Sequence, residues 1–495
     1  MASLQKTYSK EKLNGQIYTP DFIVKKILDD INYNNKNIIG KEILDPACGD
    51  GQFLVQIAKR IIKFSKNKNL EKNLEKINGW DIDKNAIEMA KNRLNKLIEN
   101  FNINIEWNLK CKNSIFEKKE NNLFLNKKNK FFDYIIGNPP YIRIQHLEKK
   151  QRIYIQKYYK FCKTGSTDIY IAFFEMSYNL LKNTGICAFI TPNTYFSTET
   201  AKEIRRFFER EQNIISITNY GSIQLFENAR TYSSITIFSR KRYDNFLFRK
   251  ADTKNVFKKR KINFSEIKNK NFWQLSCEKI SVKNGKRLGD ICDIHVGLTT
   301  LADKVYICKA LNENGKTISI KTNLKGIIEI EKDILKPIIK ASKIKKADEK
   351  NNNYIIFPYE KQNGKNKIIS EKKLKKKFPM TYEYFLSVKN VLNKRDNGKP
   401  NSIIWYAFGR TQSLNTSFGE KIVFSPMNKK PNFIHIKNKE TTFYSGYCIK
   451  YKNSYEELLK KLNSERMENF IKISSRDFGG NWKAYNKKIL QEFII

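Results

Sequence analysis

The chain has 495 residues, with 94 Lys+Arg against 50 Asp+Glu and a net charge of +44. That length predicts two or more domains, and the imbalance predicts an anionic partner, nucleic acid first, with part of it ordinary surface in a Lys- and Asn-rich composition. Eight cysteines without a CxxC pair, three scattered histidines (His146, His295, His435) and no apolar run of membrane length argue against a zinc site, a disulfide framework and a membrane span, and predict a cytosolic chain with no metal.

In chain order, residues 1 to about 245 alternate short apolar runs with helical-period segments. "KEILDPACGDGQFLVQIAKRIIKF" (41–64) reads as strand, glycine turn and helix, and "INGWDIDKNAIEMAKNRLNKLI" (77–98) as strand, acidic turn and helix. "FFDYIIGNPPY" (131–141) ends a third strand. "STDIYIAFFEMSYNLLKNTGICAFITPNTYF" (166–196) is helix then strand, and two β-rich runs follow at 214–226 and 232–240. This succession predicts an α/β fold: a Rossmann-like, doubly wound, mainly parallel sheet that binds ligands at the carboxyl ends of its strands. Residues 246–280 are charged and weakly periodic and read as a connector. Residues 281–495, with irregular short strands and basic loops, read as a second, irregular α/β domain.

Three motifs carry chemistry. In "ILDPACGDG", Asp45 closes a strand and Gly49 and Gly51 occupy the turn before a helix, where backbone can approach a ligand and N–H groups are free. A nicotinamide fingerprint would need a third glycine where Leu54 stands. In "GWDID", Asp81 is a strand-end carboxylate suited to two ribose hydroxyls; the structural alternative, a helix N-cap, fits Asp83 better. In "GNPPY", Pro139 and Pro140 stiffen the backbone that carries Asn138 and Tyr141. The side-chain carbonyl of Asn138 and the backbone carbonyl of Pro139 could accept both N–H bonds of an exocyclic aromatic amine, whose lone pair is otherwise delocalised. Tyr141 could stack on the base. The structural alternative is a rigid turn with a core tyrosine.

"DPACGDG", "DID" and "NPPY", in that order and after "GQIYTPDFIVKKIL" (15–28), resemble the TaqI-like (gamma class) DNA adenine methyltransferases that use S-adenosyl-L-methionine. The resemblance covers residues 15 to about 240. It is looser in the second half, at 294–307, 334–346 and 474–488, where it implies a target recognition domain. It implies that Tyr18, Thr19 and Pro20 close over the methionine part of the cofactor and that Asp45, Pro46, Ala47 and Gly49 hold it. Asp81 would take the ribose, with Ile82 and Phe173 against the adenine. Asn138 would touch the cofactor at its margin, and Phe226 would pack on the target base opposite Tyr141. Asn113, in "CKNSIF", stands where the family usually has an Asp that bonds the cofactor's 6-amino group; an amide oxygen could accept the same bond. Taken alone, Phe173 and Phe226 read as core aromatics.

The resemblance implies a monomeric, site-specific methyltransferase acting on N6 of a flipped adenine in double-stranded DNA, associated with the nucleoid. A Lys-rich surface around 340–346 and 372–377 would hold phosphates. The alternative enzyme reading is methylation of an RNA base or a protein glutamine by another NPPY enzyme. A pure DNA-binding specificity subunit would not need intact "DPACGDG" and "NPPY". A fused nuclease would need an Asp…Glu-x-Lys cluster, and its absence predicts a separate cognate restriction endonuclease.

Overall fold

The helices of the first half form where apolar residues recur at helical spacing. In α1 (Asp21–Asp30), Ile23, Val24, Ile27 and Leu28 make one buried stripe. In α2 (Gln52–Ser65), Phe53, Leu54, Ile57, Ala58 and Ile61 do the same, so the residue that breaks the nicotinamide fingerprint is a core leucine. α3 (Lys84–Ile98) buries Ile87, Ala90 and Leu94. In the computed structural model of the protein, residues 18–65, 69–116, 131–163, 165–226, 231–270, 272–278, 285–347, 349, 351–475, 477–478 and 480–495 are described. They fall in two compact units, 1–279 and 280–495.

The first unit is built on nine strands: β1 (Ile43–Asp45), β2 (Ile77–Asp81), β3 (Asn108–Cys111), β4 (Phe132–Gly137), β5 (Leu181–Pro192), β6 (Ile214–Asn219), β7 (Ser233–Ser239), β8 (Asn245–Ala251) and β9 (Phe257–Asn263). Their order is β3-β2-β1-β4-β5-β7-β6-β8-β9. β1 to β5 pair in parallel, and β7 runs antiparallel between β5 and β6. Consecutive residues of β1 and β4 feed opposite faces: Leu44 and Ile135 enter one core, Ile43 and Ile136 the other. A sheet buried on both faces explains why these strands read as continuous apolar runs. The strand order reverses between β1 and β4, the place where an open α/β sheet leaves a crevice at its carboxyl edge.

The stretch expected to be a connector from 246 is different: β8 and β9 extend the sheet. Phe246, Phe248 and Ile262 are buried, while Leu247, Arg249 and Lys261 at the alternating positions are half-buried or exposed. This is the alternation of a half-buried edge pair, and its charged positions gave the sequence its linker-like look.

The second unit is of mixed type, as expected. A four-stranded antiparallel sheet is ordered Asp293–Val296, Tyr447–Lys450, Lys421–Phe424, Phe433–Ile436. A six-stranded sheet runs Gly326–Glu331, Thr317–Thr322, Ile307–Asn314, Asn353–Ile356, Leu335–Lys340, Thr442–Tyr444. Among the described residues no helix is long and apolar enough to cross a membrane.

Candidate active site

The turn after β1 is fixed by carboxylates that accept backbone N–H groups. Asp45 Oδ1 accepts from Ala47 at 3.1 Å. Gly49 takes a positive φ of 53°, which aims its N–H at Asp81 Oδ2, 2.8 Å away at the end of β2. Asp81 Oδ1 accepts from Asp83 N at 2.9 Å. The capping role falls to Asp83, whose side chain accepts from Asn85 N and Ala86 N at the start of α3. Asp81 therefore ties two strand-end loops together and still faces the cleft between them. Asp45 is 1% exposed; burial, with Asp81 nearby, pushes its carboxyl up to about 8 against the pull of the Ala47 N–H.

After β3, Asn113 Oδ1 accepts from both Ile115 N and Phe116 N, each at 3.0 Å. The hydroxyl of Ser114 donates to Pro46 O at 2.6 Å, joining this loop to the β1 turn.

β4 ends at Gly137, where a side chain would not fit: a Cβ would lie 2.5 Å from Asp45 Oδ1. Asn138 follows, with both ends of its amide held. Nδ2 donates to Thr19 Oγ1 at 3.1 Å, and the Tyr141 hydroxyl donates to Oδ1 at 2.5 Å and to Ile190 O at 3.2 Å. Burial raises the Tyr141 phenol well above its ordinary value, so it remains a donor. The Tyr141 ring meets Tyr170 edge-on at 6.3 Å.

These loops surround an open cleft of about 1120 Å³, mouth included. Of the residues expected to hold a cofactor, Tyr18, Pro46, Ala47, Gly49, Asp81, Ile82, Asn113, Asn138 and Phe173 line it, together with Pro140. Thr19 is buried behind Asn138, Pro20 starts α1, and Asp45 lies beneath the turn. Phe226 is 3% exposed in the core cluster that contains Tyr220 and Leu225, outside the cleft lining. Residues 15–17 of the N-terminal segment lie outside the described residues.

Sequence reasoning missed one wall. Ile142 and Leu147, with Gln151 and Ile155 of α4 (Lys149–Tyr158), also line the cleft, as does Phe116. Their only sequence signal is position after "NPPY" on a helix whose apolar residues recur weakly. The chemistry of the lining fits a nucleoside-bearing cofactor: the Asp81 carboxylate with the Asn113 and Asn138 amides, and Ile82, Phe116 and Phe173 as apolar side chains suited to a flat base.

Comparison with known proteins agrees with this geometry. Residues 75–226 match the family described as Eco57I restriction-modification methylase. Over 96% of its length the chain is 25% identical to the type II restriction enzyme and methyltransferase RM.Eco57I of Escherichia coli, of which it spans 56%. It is 26% identical to the type II methyltransferase M.BanIII of Aneurinibacillus aneurinilyticus over 88% of this chain and 80% of that one. Its fold resembles that of the Type IIL restriction-modification enzyme MmeI, solved in complex with DNA, with a TM-score of 0.58 at 12% identity over 95% of this chain and 65% of the other.

Proposed function

We propose, from the Eco57I-type restriction-modification methylase domain that the chain carries, that the protein transfers a methyl group from S-adenosyl-L-methionine to N6 of an adenine flipped out of double-stranded DNA. The observation that carries the reading is the clamped Asn138 amide at the reversal point of the sheet, at the rim of a cleft lined for a nucleoside. Asp81 would hold the ribose hydroxyls, Ile82 and Phe173 the adenine faces, and the Asp45–Gly49 turn with Tyr18 the methionine part. When bound, the cofactor supplies an electrophilic methyl on a sulfonium that departs as a neutral thioether.

The chain's own residues prepare the nucleophile. Asn138 Oδ1, which also accepts from Tyr141, is proposed together with Pro139 O to accept the two N–H bonds of the target amine. This favours a tetrahedral nitrogen whose lone pair can attack, and the amine's proton then leaves to water. Tyr141 is proposed to stack on the base. No group needs a shifted pKa; positioning supplies most of the rate. The second unit is proposed as the target recognition domain, with the exposed lysines Lys343, Lys345, Lys346 and Lys372 on phosphates. We place the enzyme in the cytoplasm with the nucleoid, as a monomer acting within a restriction-modification system.

The test is modification-sensitive sequencing of DNA from cells expressing the chain. A defined duplex motif bearing N6-methyladenine is expected, and Asn138→Ala should erase it while cofactor binding persists. Methylation on cytosine, or only on RNA or protein, would overturn the reading.

A further inference from the structure

The polar end that Asn113 offers the cleft is set by what its other end already does. Its oxygen accepts two backbone N–H groups, Ile115 and Phe116, both at 3.0 Å. A carbonyl oxygen has two lone pairs, so its capacity is filled. Turning the amide over would set an NH2 group against those two donors and leave both N–H groups unpaired, so the assignment of oxygen and nitrogen is forced by the loop itself. The nitrogen has no hydrogen-bond partner among the described residues, and Asn113 lines the cleft. A carboxylate in the same rotamer would differ at this point: one oxygen would serve the loop and the other would face the cleft as an acceptor.

We infer that Asn113 presents its amide nitrogen, a donor, to the base of the cofactor, so that this chain does not read the cofactor's 6-amino group through this residue and instead favours a ring-nitrogen acceptor there. The inference rests on the proposed use of S-adenosyl-L-methionine. It also reverses the simple expectation from sequence, in which the amide oxygen takes the bond a carboxylate would take. A primary amine and the Asn113 nitrogen are both donors and cannot bond each other, whereas purine N1 is an acceptor that the Asn113 nitrogen can bond whether or not the ring carries an amine.

Calorimetry with two ligands tests it: S-adenosylhomocysteine, and its 6-deamino purine analogue, which keeps N1 and lacks the amine. The wild-type protein should bind the two within about threefold, and Asn113→Asp should favour the 6-amino ligand by roughly tenfold or more, since a charge-assisted bond would then be gained. A wild-type protein that already prefers the 6-amino ligand tenfold, or an Asn113→Asp protein that binds both equally, overturns the inference. The wild-type ratio alone decides it if the variant fails to fold. Binding of neither ligand to the wild-type protein would instead refute the cofactor reading on which the inference stands.

Discussion

In the first unit the strand-end loops beside the cleft are fixed by side chains that accept backbone N–H groups, Asp81 from Gly49 and Asp83, Asn113 from Ile115 and Phe116, and Glu175 does the same for Lys160 and Phe161. In the second unit buried side chains donate to backbone carbonyls. Arg395 reaches Leu392 O, Trp405 O and Ala407 O, Lys421 reaches Gly419 O and Thr441 O, and the hydroxyls of Tyr306, Tyr384 and Tyr406 do likewise. Neither unit uses one kind alone: in the first, Arg205 donates to Tyr195 O, and in the second, Glu331 accepts from Thr381 N. Strand-to-helix turns leave N–H groups unpaired, whereas long irregular loops leave carbonyls, and buried backbone groups of either kind must find partners. Buried cations such as Arg395 and Lys421 thus serve the fold, so the formal charge overstates what is free for an anionic partner.

The comparison breaks first at Arg395. Arg395→Ala strips three carbonyls and the Tyr306 hydroxyl of their donor and should cost about 3–5 kcal/mol of stability. A urea titration showing under about 1 kcal/mol would mean that these carbonyls find water as easily as protein.

Asp45 sharpens the acceptor side through pH. Its folded-state pKa lies above the unfolded value, so the stability linked to it is complete below about pH 4 and is lost as pH rises through about 8. Unfolding at pH 5.5 and 8 should differ by on the order of 1–3 kcal/mol in the wild-type protein, other groups held equal, and Asp45→Asn should flatten that slope. An identical slope in the variant would mean that Asp45 is ionised throughout.

Thr19→Val removes the acceptor for Asn138 Nδ2. Methyl transfer should fall by roughly tenfold as the amide loses its orientation, with cofactor affinity held. If affinity falls and turnover does not, Thr19 serves the ligand directly. The smallest effect is expected at Tyr141→Phe, which keeps the ring but loses one donor to Asn138 Oδ1: a loss of about fivefold in turnover. Damage equal to that of Tyr141→Ala would shift the weight from ring to hydroxyl.

What the sequence made legible was geometry that only a few residue types can adopt. A positive φ at Gly49, the Gly137 contact on Asp45 and the Pro139-Pro140 pair each leave a mark in the residue string. The strand ends on which they sit were readable for the same reason. The rest depended on partners far away in sequence. Nothing near Asn113 announces that two downstream N–H groups occupy its oxygen. Leu147, and Gln151 and Ile155 on the helix that follows it, line the cleft without a motif, and the charged positions of β8 and β9 hid their buried phenylalanines. Phe226 lies in the core cluster, as its residue type alone predicted, although the family comparison favoured the base.

The pairing of β1 with β4 also sets when, during folding, a binding site can exist. Ile43 aligns with Tyr134, and Glu42 N donates to Asp133 across 91 residues of chain. The glycine turn and the Asn138 segment face each other only after that long loop closes, and parallel pairing of distant strands forms slowly. The two β-α segments that supply Asp45 and Asp81 are local and can form early, yet neither meets Asn138 until β4 enters between β1 and β5. Refolding followed by ligand fluorescence should therefore show binding competence arriving with the slowest phase, after most helical signal has returned.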